Sequence, residues 1–435
     1  MRWADNVVEE STTTTTGAYQ LGGVPASGEP PGAQTFVAGI GDTQTCYYYA
    51  KEMSGTAWER GIGTVADAAT DTLTRTTIHG SSNGGSAVDW TGKTLRVYCV
   101  NSAYALRRST LDHAGLLDNA TFVATRSSGA ETIHLKTLAG TDPSPTDPVR
   151  VGFAKTDGTF DVLEVTAALS LTLSSGSTLG ATSAQPFRIW VTLFNDAGTV
   201  RLGLVKCALA DGIRGLFDNL AEDSTAEGGA GGADTAGVIY TGTAVTAKTI
   251  RVLGYLEYTL TTAGTWDTAP SLIKLWSQGG KLPGDVVQEK TIATTGVISC
   301  NVIIPYDDTI PQNTEGAEAF TLAISPRFST SIIEVVADIS GRVSATSAVG
   351  IIALFKDSGA DALITRGVYS GGSDRALNPQ GFIYRESALS TAARTFKLRA
   401  GLQASGSYHI NGSSTGSSIW GGTSKSGMHI KEIMV

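Results

Sequence analysis

Apolar and polar residues alternate with a period of two along much of the chain. Leu95-Arg96-Val97-Tyr98-Cys99-Val100, Ile133-His134-Leu135-Lys136-Thr137-Leu138 and Phe187-Arg188-Ile189-Trp190-Val191-Thr192-Leu193 all show it, as does Thr395-Phe396-Lys397-Leu398-Arg399-Ala400. Runs of five to eight residues with this period predict half-buried strands. Turn signals separate them: Asn83-Gly84-Gly85, Thr156-Asp157-Gly158, Asn195-Asp196-Ala197-Gly198 and Gly371-Gly372-Ser373-Asp374. Strands at such spacing predict sandwiches or barrels. Helical patterning is scarce; the best candidate, residues 210–220, is weakened by Gly212 and Gly215. The alternating tail, residues 428–435, predicts a closing strand. No solenoid period is present, which counts against a β-helix.

Three blocks follow from these signals. Residues 1–112 open with a Ser/Thr run at 11–16 and a Gly/Pro-rich segment at 22–32, which together predict an extended arm. Tyr47, Tyr48 and Tyr49 then fall in an expected strand, with Trp58 and Trp90 as candidate core anchors. Residues 113–285 are strands interrupted by a Gly/Ala/Asp loop at 224–237, and they end at the turn Gly280-Lys281-Leu282-Pro283-Gly284-Asp285. Residues 286–435 form a further run of strands. The expected fold is all-β, with tandem antiparallel β-sandwich, jelly-roll-like domains behind an extended N-terminal arm.

Composition narrows the function classes. The 435 residues carry 32 Lys+Arg against 40 Asp+Glu, a net charge of −8, and only 17% are charged. The chain is too apolar to be disordered throughout and lacks the positive charge of a general nucleic-acid binder. No apolar run of 18 residues occurs, so no membrane insertion is expected. Glu9 and Glu10 lie where a signal peptide needs an apolar stretch. Cys46, Cys99, Cys207 and Cys300 are dispersed, without zinc or disulfide-framework spacing. Folding in a reducing cytosol with inert thiols is the expectation.

Candidate chemistry is thin. His79, His113, His134, His409 and His429 form no metal motif, and His134 and His409 read as strand residues. Gly422-Thr423-Ser424-Lys425-Ser426-Gly427 has the wrong spacing for a nucleophile elbow. Gly39-Ile40-Gly41 and Gly61-Ile62-Gly63 lack a βαβ context and read as turn or strand glycines. Asp307-Asp308 reads as a polar loop entering a strand, since adjacent carboxylates do not face each other across a scissile bond. No catalytic residue, metal or cofactor is therefore expected. Aromatics set among Ser, Gly and Asn suit adaptable binding surfaces; Tyr369, Tyr384 and Trp420 are so placed, although Trp more often anchors a core or subunit contact.

Specific strings add a resemblance. Val7-Val8-Glu9-Glu10-Ser11-Thr12-Thr13-Thr14-Thr15 with Gly17-Ala18-Tyr19-Gln20-Leu21 resembles the opening of tailed-bacteriophage structural proteins. So do Trp58-Glu59-Arg60-Gly61-Ile62-Gly63-Thr64 and Thr72-Leu73-Thr74-Arg75-Thr76-Thr77-Ile78. Ala263-Gly264-Thr265-Trp266-Asp267-Thr268-Ala269-Pro270 is similar to a module of phage tail and fibre proteins. His409-Ile410-Asn411-Gly412 looks like part of the closing half of a trimerising jelly roll. The longer arm at residues 24–32 departs from the commoner pattern.

The resemblance implies a virion structural protein rather than an enzyme: a tail fibre or tail-tip fibre, homotrimeric and assembled in the host cytoplasm. Residues 1–112 would attach it to other tail or head-tail proteins of the virion. Residues 286–435 would present loops around 369–374 and 401–407 to a host surface glycan or protein receptor. Tyr369, Ser373, Asp374 and Tyr408 are the receptor-binding candidates. A head- or neck-associated decoration spike is the alternative, and a glycan depolymerase is a third reading that the missing repeat period disfavours.

Overall fold

The structure is a computed structural model. It describes residues 2, 4–26, 31–100, 117–229, 231–276, 279–371 and 377–435. The fold is all-β, built from antiparallel sheets with little helix. Contacts divide the chain into two compact units, Met1–Ala114 and Gly115–Val435.

The first unit is a curled seven-stranded sheet. Its centre is the hairpin of Thr45–Glu52 and Trp58–Ala66. The predicted arm is extended, and it lies on the sheet. Val8–Ser11 pairs with Leu95–Cys99, and Tyr19–Gln20 pairs with Thr72–Leu73. A buried ion pair explains why Tyr19 is held there. Glu59, fully buried, lies 3.1 Å from the Arg75 guanidinium. It also accepts 2.7 Å bonds from the hydroxyls of Tyr19 and Tyr48 and a 2.8 Å bond from the Val88 amide. A buried carboxylate persists only with such a set of donors. Trp90 is fully buried in the surrounding core. Trp58 is only half-buried, contrary to its expected anchoring role, and stacks on Tyr49 near the sheet surface. Gly61 sits where the backbone of the neighbouring strand presses close, so that a Cβ would meet the Thr77 carbonyl at 2.1 Å. That is the strand-glycine reading, with a steric cause.

In the second unit, two three-stranded sheets and a seven-stranded sheet enclose the core of residues up to the turn near 285. Pro186–Asp196 runs through its centre and is buried on both faces. Ile189, Val191 and Leu193 enter one core, while Trp190 and Phe194 enter another on the opposite face. Residues 210–220 form no helix; Ala208 bridges Ile213 instead. The two glycines there tip the short segment toward turn and bridge. Burial pushes the Cys207 and Cys300 thiols up to about 12, which keeps them protonated at neutral pH.

From residue 286 onward the chain forms a sandwich. A six-stranded sheet has Ile332–Val343 at its centre. It is flanked by Leu377–Ser387 on one side and by Ser426–Ile433 and Tyr408–Ile410 on the other; Val286–Thr294 and Ile298–Cys300 lie beyond these. The facing sheet orders Ala317–Ile324, Arg394–Leu402, Ala348–Lys356 and Ile364–Ser370. Phe320, Val335, Leu354, Phe396, Leu398 and Ile430 fill the space between. The expected closing strand is therefore an interior one, hydrogen-bonded along both edges.

A buried guanidinium joins the two parts of this unit. Arg188 contacts Glu257 at 2.5 Å and donates to the Val435 oxygen at 3.1 Å, which the Trp190 indole nitrogen also reaches at 3.1 Å. Thr330 donates to the same Glu257 oxygen at 3.0 Å. The guanidinium carbon lies 4.3 Å from the Tyr255 ring centroid and 4.8 Å from that of Phe328. Removing one partner of such a pair strands a buried charge. Arg188→Ala should therefore cost roughly 3–5 kcal/mol, read as a lowered denaturant midpoint; a change under about 1 kcal/mol would show the contact to be incidental.

A second prediction concerns Glu131. Burial lifts its carboxyl to about 7 from the ordinary 4.5, against the opposing bond from Tyr258 at 2.9 Å. The native state then holds a proton that the unfolded chain releases between these values. Stability should fall as pH rises from about 4.5 to about 7, by roughly 3 kcal/mol, and flatten above. Glu131→Gln should abolish that fall in urea titrations across this range, and an unchanged pH profile would refute the assignment.

Candidate functional site

The sandwich brings together at one end the segments that flank the expected receptor loops. Ile332–Val343 delivers the chain to residues 344–347, and Arg394–Leu402 delivers it to 403–407. The Ser344 amide donates to the Ser407 carbonyl at 2.9 Å, and the Ser407 amide returns a 2.8 Å bond to the Ser344 hydroxyl. The Gln403 amide reaches the Val349 carbonyl at 3.1 Å. Val349 pairs in turn with Tyr369, near the end of Ile364–Ser370. Cross-connected loops on rigid strands hold their shape without a ligand.

Tyr369 stands at this end with 62% of its surface exposed. Ser373 and Asp374 lie outside the described residues. Tyr408 corrects the expectation for it, because it is fully buried. Its ring fits notches left by two glycines: a Cβ on Gly341 would come within 2.5 Å of it, and one on Gly350 within 2.8 Å. Gln380 donates to its hydroxyl at 3.1 Å, and burial raises the phenol well above its ordinary value. Alternation in Ser407-Tyr408-His409-Ile410 identifies a strand but does not say which face is inward. Two distant glycines decide that. His409, on the opposite face, pairs with the Ser299 hydroxyl at 2.9 Å and is covered by residue Gly416. Tyr384 is half-buried and donates to Glu386 at 3.1 Å.

Trp420 is the surface feature that sequence reasoning ranked below a core role. It is 61% exposed, on the excursion of residues 411–425 between Tyr408–Ile410 and Ser426–Ile433. Its neighbours Ser417, Ser418, Gly421 and Gly422 were the available signal.

A cavity of about 410 Å³ opens where the edges of the two facing sheets meet. Gln288 and Lys290 line it from Val286–Thr294, with Ser325, Pro326 and Arg327 opposite. Glu432 lies buried beside it and is compensated by four contacts. The Gln288 amide donates at 2.7 Å, the Arg327 amide contacts both carboxylate oxygens at 2.9 Å, and the Phe328 amide donates at 3.0 Å. These bonds set the shape of the turn. Lys290, on the edge strand, pairs with Ile430 and is itself exposed. A charge on an edge strand discourages pairing with other chains. Chemically, the two cations suit a small anionic group.

No group of three or more metal-ligating side chains occurs among the described residues. Asp307 accepts from the Thr309 amide at 2.9 Å and from its hydroxyl, which holds the carboxyl below its ordinary range. That is a local turn, as the polar-loop reading expects. No helix is long and apolar enough to cross a membrane, again among the described residues.

The arrangement defines a multi-sheet β protein with Tyr369 exposed near the end of a strand and Trp420 exposed on a braced loop. No protein-family model and no curated protein matches the chain. Among solved structures, Eiger TNF from S. frugiperda shares 12% identity with a TM-score of 0.19, over 33% of this chain and 93% of that one. The infectious bursal virus derived T=1 particle shares 12% identity with a TM-score of 0.18, over 75% and 78%. The T13 IBDV viral particle shares 11% with a TM-score of 0.20, over 74% and 76%. Likeness at these values carries no argument about function; the fold rests on the strand pairings themselves.

The burial of Tyr408 makes a direct prediction. Tyr408→Phe removes the oxygen that accepts from Gln380 and should cost about 1 kcal/mol, measured by chemical denaturation. A cost near zero would show that the Gln380 amide finds another acceptor.

Proposed function

We propose that this chain is a structural and adhesive protein of a tailed-bacteriophage particle, a homotrimeric tail fibre or tail-tip fibre. Residues 1–112 anchor it to the virion, and residues 286–435 present loops to a host surface receptor. The observation that carries this reading is the bonded cluster of residues 344–347 and 403–407 beside exposed Tyr369. A rigid double sheet that ends in cross-braced loops with an exposed aromatic is a suitable recognition surface. The quoted sequence strings support the phage assignment through their resemblance to tail proteins. The trimer is supported by Leu377–Ser387 and Ile364–Ser370, each of which pairs along one edge only among the described residues. Edge strands invite pairing, and symmetric assembly covers them. Weak individual sites repeated about a symmetry axis then gain avidity.

The test is competition. The purified chain should block adsorption of the phage that carries it to its host. Tyr369→Ala should weaken that blocking about tenfold, the equivalent of roughly 1.4 kcal/mol, while leaving the melting temperature unchanged. Unchanged blocking would remove Tyr369 from the site. Failure of the wild-type chain to block at all would contradict the receptor-binding role.

A further inference from the structure

We propose that residues 411–425 form a saccharide-binding site in which the Trp420 indole is the stacking platform for a neutral sugar ring. The inference deepens the preceding reading, on which its receptor role rests, by naming the ligand class; the binding itself is a property of the purified chain.

Three observations carry it. First, Trp420 is the one exposed tryptophan among the described residues; Trp90, Trp190 and Trp266 are fully buried, and Trp58 and Trp276 are half-buried. An indole left in water forfeits the burial that ordinarily places Trp inside. Second, its backbone is strained. Trp420 has φ +48°, followed by Gly421 at +62° and Gly422 at +80°. Glycines enter this left-handed region freely, whereas a bulky residue there is an outlier. Strain of this kind persists where the surroundings enforce it, and it gathers at functional sites.

Third, the surroundings do enforce it. The Asn411 amide donates to the carbonyls of Thr294 at 2.8 Å and Gly296 at 3.2 Å, while its oxygen accepts from the Ser426 hydroxyl at 2.7 Å. Gly412 bridges Ser418, and the Thr423 hydroxyl donates to the Trp420 carbonyl at 2.8 Å. The loop is thus tied to the sheet at both ends and braced within, so little ordering remains for a ligand to impose. Trp420 bears both an exposure cost and a strain cost in a loop that could have relaxed by carrying glycine.

The chemistry around the ring selects the ligand. Ser417, Ser418, Gly421, Thr423 and Lys425 are exposed beside it. Serine and lysine are depleted at the buried centres of protein interfaces. A platform of one aromatic face with several hydroxyls suits a pyranose instead. Its C–H face covers the indole, and its hydroxyls exchange hydrogen bonds with serine, threonine and the indole N–H.

The test uses the full-length chain on an array of neutral and acidic oligosaccharides, with titration of the retained glycans by tryptophan fluorescence. Wild type should retain neutral glycans. Trp420→Gly should lose at least tenfold in affinity while keeping or raising the melting temperature, because glycine relieves the left-handed strain. Trp420→Phe should retain part of the binding. Three results would overturn the proposal: no glycan retained by wild type, undiminished binding by Trp420→Gly, or dissociation of the assembly in that variant by sedimentation, which would make Trp420 a subunit contact. Glycan retention without blocking of phage adsorption would leave the site standing and remove its receptor role.

Discussion

The buried Arg188 guanidinium is the contact on which the second unit turns. Charge without solvent is tolerable only with full compensation, and here compensation comes from distant parts of the chain. Glu257 supplies the counter-charge, the Val435 oxygen accepts a bond, and Tyr255 and Phe328 supply ring faces. Thr330 completes the Glu257 carboxylate. The group thereby ties the middle sheets to the C-terminal sandwich at one point. A sandwich braced in this way behaves as a rigid support, which is what loops of defined shape require. The Glu59 cluster is the first unit's counterpart: one carboxylate ties the arm, the central hairpin and the Arg75 segment into a single sheet.

Both devices serve a chain of small side chains. Apolar strands such as Pro186–Asp196 and Ala348–Lys356 carry the cores, and close backbone approaches and buried polar bonds add specificity. Gly61 against Thr77 and Gly341 against Tyr408 are examples of such approaches. The division of labour follows. Interior strands carry stability, while the bonded ends and the 411–425 excursion carry exposed aromatics that the core does not use.

Much of the fold was legible because period-two alternation depends on local geometry alone. Leu95–Cys99, Ala130–Lys136 and Arg394–Leu402 are strands where the pattern puts them. The closing segment is also a strand, but its interior position depends on pairing with a strand remote in sequence, as in Ile332 with Ile433, which no local pattern encodes. Residues 210–220 misled because an apolar spacing of three and four persists in a segment whose glycines favour turns. At the candidate site, Tyr369 was readable as a residue beside a Gly/Ser loop. The inward turn of Tyr408 was not, since it depends on Gly341 and Gly350, which are remote in sequence. The exposure of Trp420 was signalled only by its Ser and Gly neighbours, against the usual preference of tryptophan for burial.

The central claim is that this chain is a trimeric fibre of a phage tail, and cryo-electron microscopy of the intact virion, with this chain's density assigned, tests it most directly. The account predicts three copies about a symmetry axis that projects from the tail, with residues 1–112 at the particle and the 286–435 sandwich outermost. Density on the capsid or neck, or a particle without the chain, would contradict it.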